Sequence, residues 1–255
     1  MKLSACIEWL YAPETANFAD RIWLARQSGL AAVEFWRWTD KDLDSIDLAL
    51  QATEMELSSI VAEPMISLTD IRNQSIFLEG LRRSIATARR LGAPVLIAQA
   101  GDELSDVSRH DQKKALVETL NLAGEMLKGS GVRIGLEPLN TLIDHPGYFL
   151  PSTVEALEIA AATGRPEIGI VYDIYHSAVM GEETEVVIGG NIDRVFHIHI
   201  ADHPGRNEPG TGGIDLKKRL DWLLARGYSG FIGLEYRPVA PTSKSVDACR
   251  RVLSQ

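Results

Sequence analysis

Residues 3–13 read LSACIEWLYAP, a short apolar run followed by a turn that contains no glycine. The apolar part predicts a buried β-strand at Leu3–Ile7, and the turn covers Glu8–Pro13. An open, doubly wound sheet usually carries a glycine-rich nucleotide-binding turn directly after its first strand. The lack of glycine at this position therefore favours a closed barrel over an open sheet.

Beyond this first strand, strand-like apolar runs alternate with amphipathic stretches of helical length. The eight predicted strands are Leu3–Ile7, Ala32–Phe35, Glu56–Val61, Pro94–Ala98, Arg133–Leu136, Ile168–Tyr172, Val195–Ile200 and Ile232–Glu235. The predicted helices cover residues 14–28, 40–54, 70–91, 108–129, 152–163, 181–190, 215–226 and 241–253. Eight alternations with right-handed crossovers predict an α/β fold of the (β/α)8 TIM-barrel type, which typically needs about 250 residues. Residues 1–255 are therefore expected to form a single barrel domain.

Several helix boundaries carry chemical signals that support this division. Ser152 and Glu155 form a capping box, and Asp215 is placed to cap the helix that follows it. Glycines at positions 29, 92, 129 and 227 follow predicted helices, where a left-handed residue ends a helix at little cost.

The composition narrows the class of protein. The formal net charge of −9 argues against a nucleic-acid partner, because such proteins favour a basic face. No run approaches the ~18 apolar residues of a membrane span, and the first residues lack the apolar core of a signal peptide. The isolated Cys6 and Cys249 do not suggest a disulfide framework. We expect a cytoplasmic enzyme with a small-molecule substrate; assembly into a homo-oligomer is left open.

Four metal-type side chains lie at the ends of predicted strands five to eight. Glu137, Asp173 and Glu235 each follow or close an apolar strand, and His199 lies in the run FHIHI. The active site of a (β/α)8 barrel lies at the carboxyl ends of its strands, so these side chains are expected to converge. A single one is as readily explained by a strand-end hydrogen bond, but four together favour a shared cation. Three carboxylates and an imidazole suit Mg²⁺, Mn²⁺ or Co²⁺.

Four blocks of sequence resemble the hydroxypyruvate isomerase family of xylose-isomerase-like barrels. They are EPLN with DHPGYFL at 137–140 and 144–150, YDIYH at 172–176, IADHPGRNEPGTG at 200–212 and GLEYRP at 233–238. The resemblance covers roughly residues 130–240, whereas the first half of the chain shares with the family only the alternation of predicted strands and helices.

By position, the resemblance implies a role for each matched residue. Glu137 and Glu235 would transfer protons, Asp173 and His199 would complete the metal site, and His176 and Arg206 would hold substrate oxygens.

Two departures from the families' patterns bear on the substrate. Some hydroxypyruvate isomerases carry glutamine where this chain has His199, whereas the related ketose 3-epimerases carry histidine. Histidine at this position favours genuine metal dependence and weakens the narrow substrate assignment, whereas a second comparison points the other way. Those epimerases also have a glutamate six residues after the first catalytic one, and this chain has Ile143 there.

The resemblance, together with the predicted metal site, implies an isomerase that moves a proton between adjacent carbons of a small hydroxy-carbonyl acid through an enediolate. Hydroxypyruvate and a 2-oxo-tetronate are the expected substrate types. A ketose 3-epimerase and a keto-inositol dehydratase are the alternatives. A DNA-repair endonuclease on the same scaffold is disfavoured by the net charge and by only 6 histidines. A non-catalytic binding protein would not need the intact ligand set.

Other polar and aromatic residues at the strand ends have less certain roles. Glu34 is expected to face the pocket and touch substrate, and Trp36 and Trp38 cover either the site or an interface. His197 is expected to pack one layer below His199, by the alternation of a strand. The turn at residues 210–213 is interpreted as shaping its loop, with anion binding as the alternative. Weaker candidates at the barrel mouth are Glu8, Trp9, Glu63, Gln99 and Asp102.

Overall fold

The computed structural model describes residues 1–254, whose strands form one parallel sheet surrounded by helices. The strands are β1 Lys2–Cys6, β2 Ala32–Glu34, β3 Glu56–Leu57, β4 Ser59–Val61, β5 Val95–Gln99, β6 Arg133–Glu137, β7 Ile168–Asp173, β8 Val195–Ile200 and β9 Phe231–Leu234. The α-helices are α1 Phe18–Gln27, α2 Leu43–Thr53, α3 Gln74–Leu91, α4 Arg109–Leu127, α5 Thr153–Ala162, α6 Ile174–Val179, α7 Thr184–Ile188, α8 Leu216–Ala225 and α9 Thr242–Ser254. Short 3-10 helices occupy Ile71–Asn73 and Ile192–Arg194.

The strand order shows how the sheet closes. Each strand pairs in parallel with its neighbour in the order β3-β2-β1-β9-β8-β7-β6-β5-β4. The first strand thus pairs with the last, from Lys2 opposite Phe231 to Ala5 opposite Leu234. The two ends of the order, β3 and β4, are consecutive pieces of one segment separated by Ser58. The predicted TIM barrel is therefore confirmed, with its third strand divided in two.

The element boundaries agree with the sequence pattern, with two differences. The third predicted strand is interrupted at Ser58, whose backbone N–H still bonds to the carbonyl of Val33 at 2.9 Å. The predicted helix at 181–190 is shorter than expected, and an additional helix, α6, starts directly after Asp173. Asp173 caps α6 by accepting from the backbone N–H groups of Tyr175 and His176. A polar strand-end residue thus also begins the next helix.

The predicted helix ends have the expected chemistry. Ser152 accepts from the backbone N–H of Glu155, and Asp215 accepts from that of Lys218. The glycines at 29, 92, 129 and 227 all have positive φ, as expected for left-handed helix termini. These residues therefore mark where the helices beside them begin or end.

The apolar core fills the barrel and the space between the barrel and its helices. Ile134, Leu136, Ile170, Ile198 and Leu234, on four neighbouring strands, are fully buried. Both cysteines are buried and unpaired. Within residues 1–254, no helix combines the length and apolar character needed to cross a lipid bilayer.

Candidate active site and metal centre

The four predicted ligands converge at the carboxyl ends of β6 to β9. Glu137, Asp173, His199 and Glu235 each offer one ligand atom, and these atoms all lie within 4.8 Å of one another. His199 Nδ1 lies 3.0 Å from Glu137 Oε1 and 3.8 Å from Glu235 Oε2. All four side chains are buried. The four side chains thus lie together in one buried cluster at the mouth of the barrel.

Strand register explains this convergence. Asp173 of β7 lies opposite His199 of β8, and His199 lies opposite Gly233 of β9. Glu137 closes β6 opposite Gln99 of β5. Because neighbouring parallel strands end at the same level, these side chains meet at one mouth of the barrel.

A tyrosine fixes the strand end that carries Glu137. The Tyr148 hydroxyl donates to the carbonyl of Glu137 at 2.9 Å and accepts from the backbone N–H of Ala100 at 2.7 Å. Tyr148 belongs to the block DHPGYFL that contributed to the family resemblance. The block therefore ties together the ends of β5 and β6, a role that its sequence did not reveal.

His199 stands between carboxylates on both sides of its ring. Nδ1 faces Glu137 and Glu235, and Nε2 lies 3.1 Å from Glu34 Oε1. A Cβ atom at Gly233 would lie 2.2 Å from Glu34 Oε1 and 2.6 Å from His199 Cδ2. Glycine at position 233 therefore makes room for the approach of Glu34 to His199. In metal proteins, a carboxylate behind a histidine ligand typically fixes its ring orientation.

Glu34 lies in a buried polar network beneath His199 rather than in the wall of the cavity. Its Oε2 atom is 2.8 Å from His197 Nε2 and accepts from the Ser58 hydroxyl at 2.7 Å. The Ser58 hydroxyl in turn lies 2.6 Å from that of Ser4. Burial raises the pKa of Glu34, but the nearby His197 and His199 outweigh it and lower the pKa overall. Glu34 is thus held ionised one layer below the strand ends, with His197 at the depth expected for it.

Glu235 is held by two side-chain donors. The indole Nε1 of Trp36 donates to Oε1 at 2.8 Å, and Nη2 of Arg206 donates to Oε2 at 2.6 Å. Burial alone would raise the pKa of Glu235, but His199 and Arg206 outweigh it and lower the pKa. Arg206 has a φ of +54°, a strained value for a non-glycine residue that is common at functional sites.

The other two carboxylates have pKa values shifted in the opposite direction. Burial raises the pKa of Glu137 more than its contact with His199 lowers it. Burial likewise raises the pKa of Asp173, despite the nearby Arg206 guanidinium. Such buried acids are short of positive charge, which a divalent cation among the four ligand atoms would supply. The donor set and its spacing therefore fit a metal ion.

His176 presents a single ring nitrogen toward the site. Its Nδ1 accepts from the backbone N–H of Asn140 at 3.2 Å and lies 2.6 Å from the Asn140 side-chain nitrogen. Burial, with the nearby Arg206 second, lowers the pKa of His176 well below its usual value. The ring is therefore neutral and carries its proton on Nε2, which has no hydrogen-bond partner among the described residues and lies 3.6 Å from Asp173 Oδ2. It is a donor available to a substrate oxygen.

A cavity of about 330 Å³ opens directly onto these groups. Its wall includes Glu137, Glu235, His176 and Arg206. Several further lining residues were weak candidates or absent from the sequence-based set: Trp9, Trp36, Val61, Met65, Ile97, Gln99, Leu139, Asp144, His145 and Arg237. Trp9 and Gln99 were among the weaker candidates at the barrel mouth, whereas the apolar lining residues carry no signal that separates them from the core.

The glycine-rich turn after β8 is closed by its own chain. Asp202 accepts from the backbone N–H groups of Gly210, Gly212 and Ile214 at 2.8, 2.9 and 3.0 Å. These donors are therefore engaged within the loop, which agrees with the interpretation of the turn as a shaping element. Trp38 lies in the core and donates to Ser84, away from the cavity.

Comparison with known proteins places this site in a family. The profile described as "Xylose isomerase-like TIM barrel" matches residues 22–252. Hydroxypyruvate isomerase of Escherichia coli K12 is 30% identical over 250 residues, covering 95% of each chain. The 2-oxo-tetronate isomerase of Cupriavidus necator is 28% identical, with 89% of each chain covered.

A solved structure extends the likeness of the fold. The structure described as AP endonuclease, family 2, from Brucella melitensis superposes with a TM-score of 0.91 at 24% identity. The match covers 98% of this chain and 99% of that one. At this level of identity, the superposition shows a common fold. The chain belongs to the xylose isomerase-like TIM barrel family and, within it, to the hydroxypyruvate isomerase family of isomerases.

Proposed function

We propose that this isomerase interconverts small hydroxy-keto acids of the hydroxypyruvate or 2-oxo-tetronate type, with the help of a divalent cation such as Mg²⁺, Mn²⁺ or Co²⁺. The observation that carries the proposal is the buried convergence of three carboxylates and one imidazole, of which Glu137 and Glu235 line a small cavity. The relatives named for these two activities support the choice of substrate.

Glu137, Asp173, His199 and Glu235 are the residues that would hold the cation. A bound divalent cation would stabilise the negative charge that develops on the substrate oxygens. Its ligand atoms come from four different strands, so the barrel itself defines the geometry of the site.

Glu137 and Glu235 are the groups proposed to move the proton. The reaction removes a proton from the carbon beside a carbonyl and returns one to the neighbouring carbon, through an enediolate. Both carboxylates line the cavity, and their pKa values are shifted in opposite directions. A pair of acids in unlike environments is the arrangement expected for a base and an acid that exchange roles.

His176 and Arg206 are proposed to orient the substrate. His176 offers its Nε2–H to a carbonyl or hydroxyl oxygen, and Asn140 holds the ring in that tautomer. Arg206 lines the same cavity while holding Glu235. These donors can stabilise an oxygen that becomes negative during proton transfer.

The test is an activity screen of the purified protein in D2O with Mn²⁺. Substrates are hydroxypyruvate, a 2-oxo-tetronate, free ketoses and a keto-inositol, and products are identified by NMR. We expect turnover of the acids, with deuterium at the carbon that receives the proton. Deuterium at carbon 3 of an epimerised ketose would instead assign a 3-epimerase, and loss of water from a keto-inositol would assign a dehydratase. Either result, with no turnover of the acids, would overturn the proposal.

A further inference from the structure

The cavity contains two permanent cations that differ in how their charge is balanced. Arg206 and Arg237 both line the cavity, and both guanidinium groups lie near the ring of Trp9, at 4.8 and 4.9 Å from its centroid. Both guanidinium groups thus make a cation–π contact with the same indole ring. Like charges gathered on one side of a cavity call for a neutralising anion.

The charge of Arg206 is already balanced by neighbouring carboxylates. Its guanidinium donates to Glu235 at 2.6 Å and lies 3.8 Å from carboxylate oxygens of both Asp173 and Asp144. The side chain is only 13% exposed. Burial lowers the pKa of Arg206, but these carboxylates outweigh it and raise the pKa overall. Arg206 is therefore poorly placed to neutralise a further carboxylate from a substrate.

Arg237 has no such partner. Among residues 1–254, no carboxylate oxygen lies within 4.0 Å of its guanidinium nitrogens. Its backbone is nevertheless fixed on both sides, because its N–H bonds to the carbonyl of Arg206 at 2.9 Å and its carbonyl accepts from the Asn207 side chain at 2.7 Å. The backbone of Arg237 is therefore held in place, and the residue is exposed and lines the cavity.

We propose that Arg237 binds the carboxylate of the acid substrate and sets the preference of the site for acids over neutral hydroxy-ketones. This inference rests on the proposed function and names the residue that recognises the acidic end. A guanidinium matches a carboxylate through two parallel N–H donors, and stacking on Trp9 limits the orientations that it can adopt.

The position of Arg237 separates the two ends of the substrate. The reacting carbons must lie near Glu137 and Glu235, the two carboxylates that are proposed to transfer the proton. An arginine at the edge of the cavity, supported by Trp9, offers the carboxylate a site apart from these acids. A neutral substrate would gain nothing from this contact.

The experiment compares an acid with its neutral counterpart in binding and in turnover. Arg237→Met retains an unbranched apolar side chain against Trp9 and removes the charge, and Arg237→Lys keeps the charge without the planar donors. Arg226→Met is the matched control, because Arg226 is an exposed arginine stacked on a tryptophan, Trp222, at 3.9 Å and lies outside the cavity.

Binding of D-glycerate and of glycerol is followed by tryptophan fluorescence, which needs no turnover. We expect the wild type and Arg226→Met to bind glycerate more tightly than glycerol. Arg237→Met should lose this preference by about 10- to 100-fold, the range for a charged hydrogen-bonded contact. Arg237→Lys should recover part of it. Equal preference in Arg237→Met and wild type, or a wild type that binds both alike, would overturn the assignment.

Turnover then separates this proposal from the proposed function. The kcat/KM for hydroxypyruvate is divided by the kcat/KM for neutral dihydroxyacetone. We expect this ratio to be lower in Arg237→Met than in the wild type, mainly because KM for hydroxypyruvate rises. A wild type that binds glycerate through Arg237 but turns over no hydroxy-keto acid would refute the proposed function and leave the anion site standing. An equal loss on both compounds would refute the specificity role.

Discussion

The two halves of the barrel contribute to the site in different ways. Strands β6 to β9 supply all four ligand-type side chains, one from the end of each strand. The first half, from β1 to β5, supplies groups that hold those side chains, including Trp36 beside Glu235 and Glu34 beneath His199. The later half carries the groups proposed to react, and the first half adds contacts that hold them in place, beside those from Tyr148 and Arg206 in the later half itself.

This division shows which part of a site needs particular chemistry and which needs only shape and a hydrogen bond. A ligand or a base requires a carboxylate or an imidazole at a strand end, so the later half carries long recognisable blocks. A supporting group needs only to lie within hydrogen-bonding distance of the side chain that it holds. A tryptophan or a buried glutamate in such a role therefore has no distinctive sequence pattern around it. Substitutions in the two halves should therefore affect the reaction rate and the affinity for the cation in different ways.

The largest effect is expected from the two glutamates of the later half. Glu137→Gln and Glu235→Gln each remove a carboxylate that is proposed to transfer a proton and to bind the cation, and we expect kcat to fall by about 10³-fold or more. Circular dichroism and thermal unfolding should show that both variants remain folded. The control is Glu158→Gln, an exposed glutamate on α5, which should retain full activity. A rate near that of the wild type in either site variant would contradict its role.

Glu34 tests the supporting role of the first half. Glu34→Gln keeps the size of the side chain but removes the charge that faces His199 Nε2, so we expect Mn²⁺ affinity to fall by about 10- to 100-fold. Calorimetry measures this without any substrate. Glu63→Gln is the control, since Glu63 is also buried but contacts the backbone N–H of Thr39 instead. Unchanged affinity in Glu34→Gln, with an altered KM, would make Glu34 the substrate contact that its sequence position predicted.

Trp36 should give a smaller effect on the rate. Trp36→Phe removes the indole donor to Glu235, and a hydrogen bond to a charged group contributes roughly 1.5 kcal/mol, which corresponds to about a tenfold loss in kcat. Trp38→Phe is the matched control, because its indole donates to Ser84 in the core and not to the site. Equal losses in both variants would show a general packing effect in place of a defined contact to Glu235.

Most of the fold and the ligand set could be predicted from the sequence, for a physical reason. Strand ends in a closed parallel barrel meet at one mouth, so Glu137, Asp173, His199 and Glu235 needed only a correct assignment of strands. The sequence pattern predicts the third strand as one piece. Its interruption at Ser58 depends on how the sheet closes, and this closure leaves no signal in the alternation of apolar residues.

Contacts that cross the seam of the barrel could not be predicted in the same way. Trp36 and Glu235 are 199 residues apart and meet only because β1 pairs with β9. Glu34 was assigned to the cavity wall, but β2 ends at Glu34 itself and the side chain points inward, beneath His199. The space for it comes from Gly233 on β9, a residue with no visible link to position 34 in the sequence.

The central claim is that the four converging side chains bind one divalent cation on which activity depends. The most direct measurement is a calorimetric titration of chelator-treated protein with Mn²⁺, together with the rate at each point of the titration. We expect one Mn²⁺ to bind per chain and activity to rise in parallel with its occupancy. Asp173→Asn should lose both Mn²⁺ binding and activity. Full activity in rigorously metal-free protein, or undiminished Mn²⁺ binding in Asp173→Asn, would contradict it.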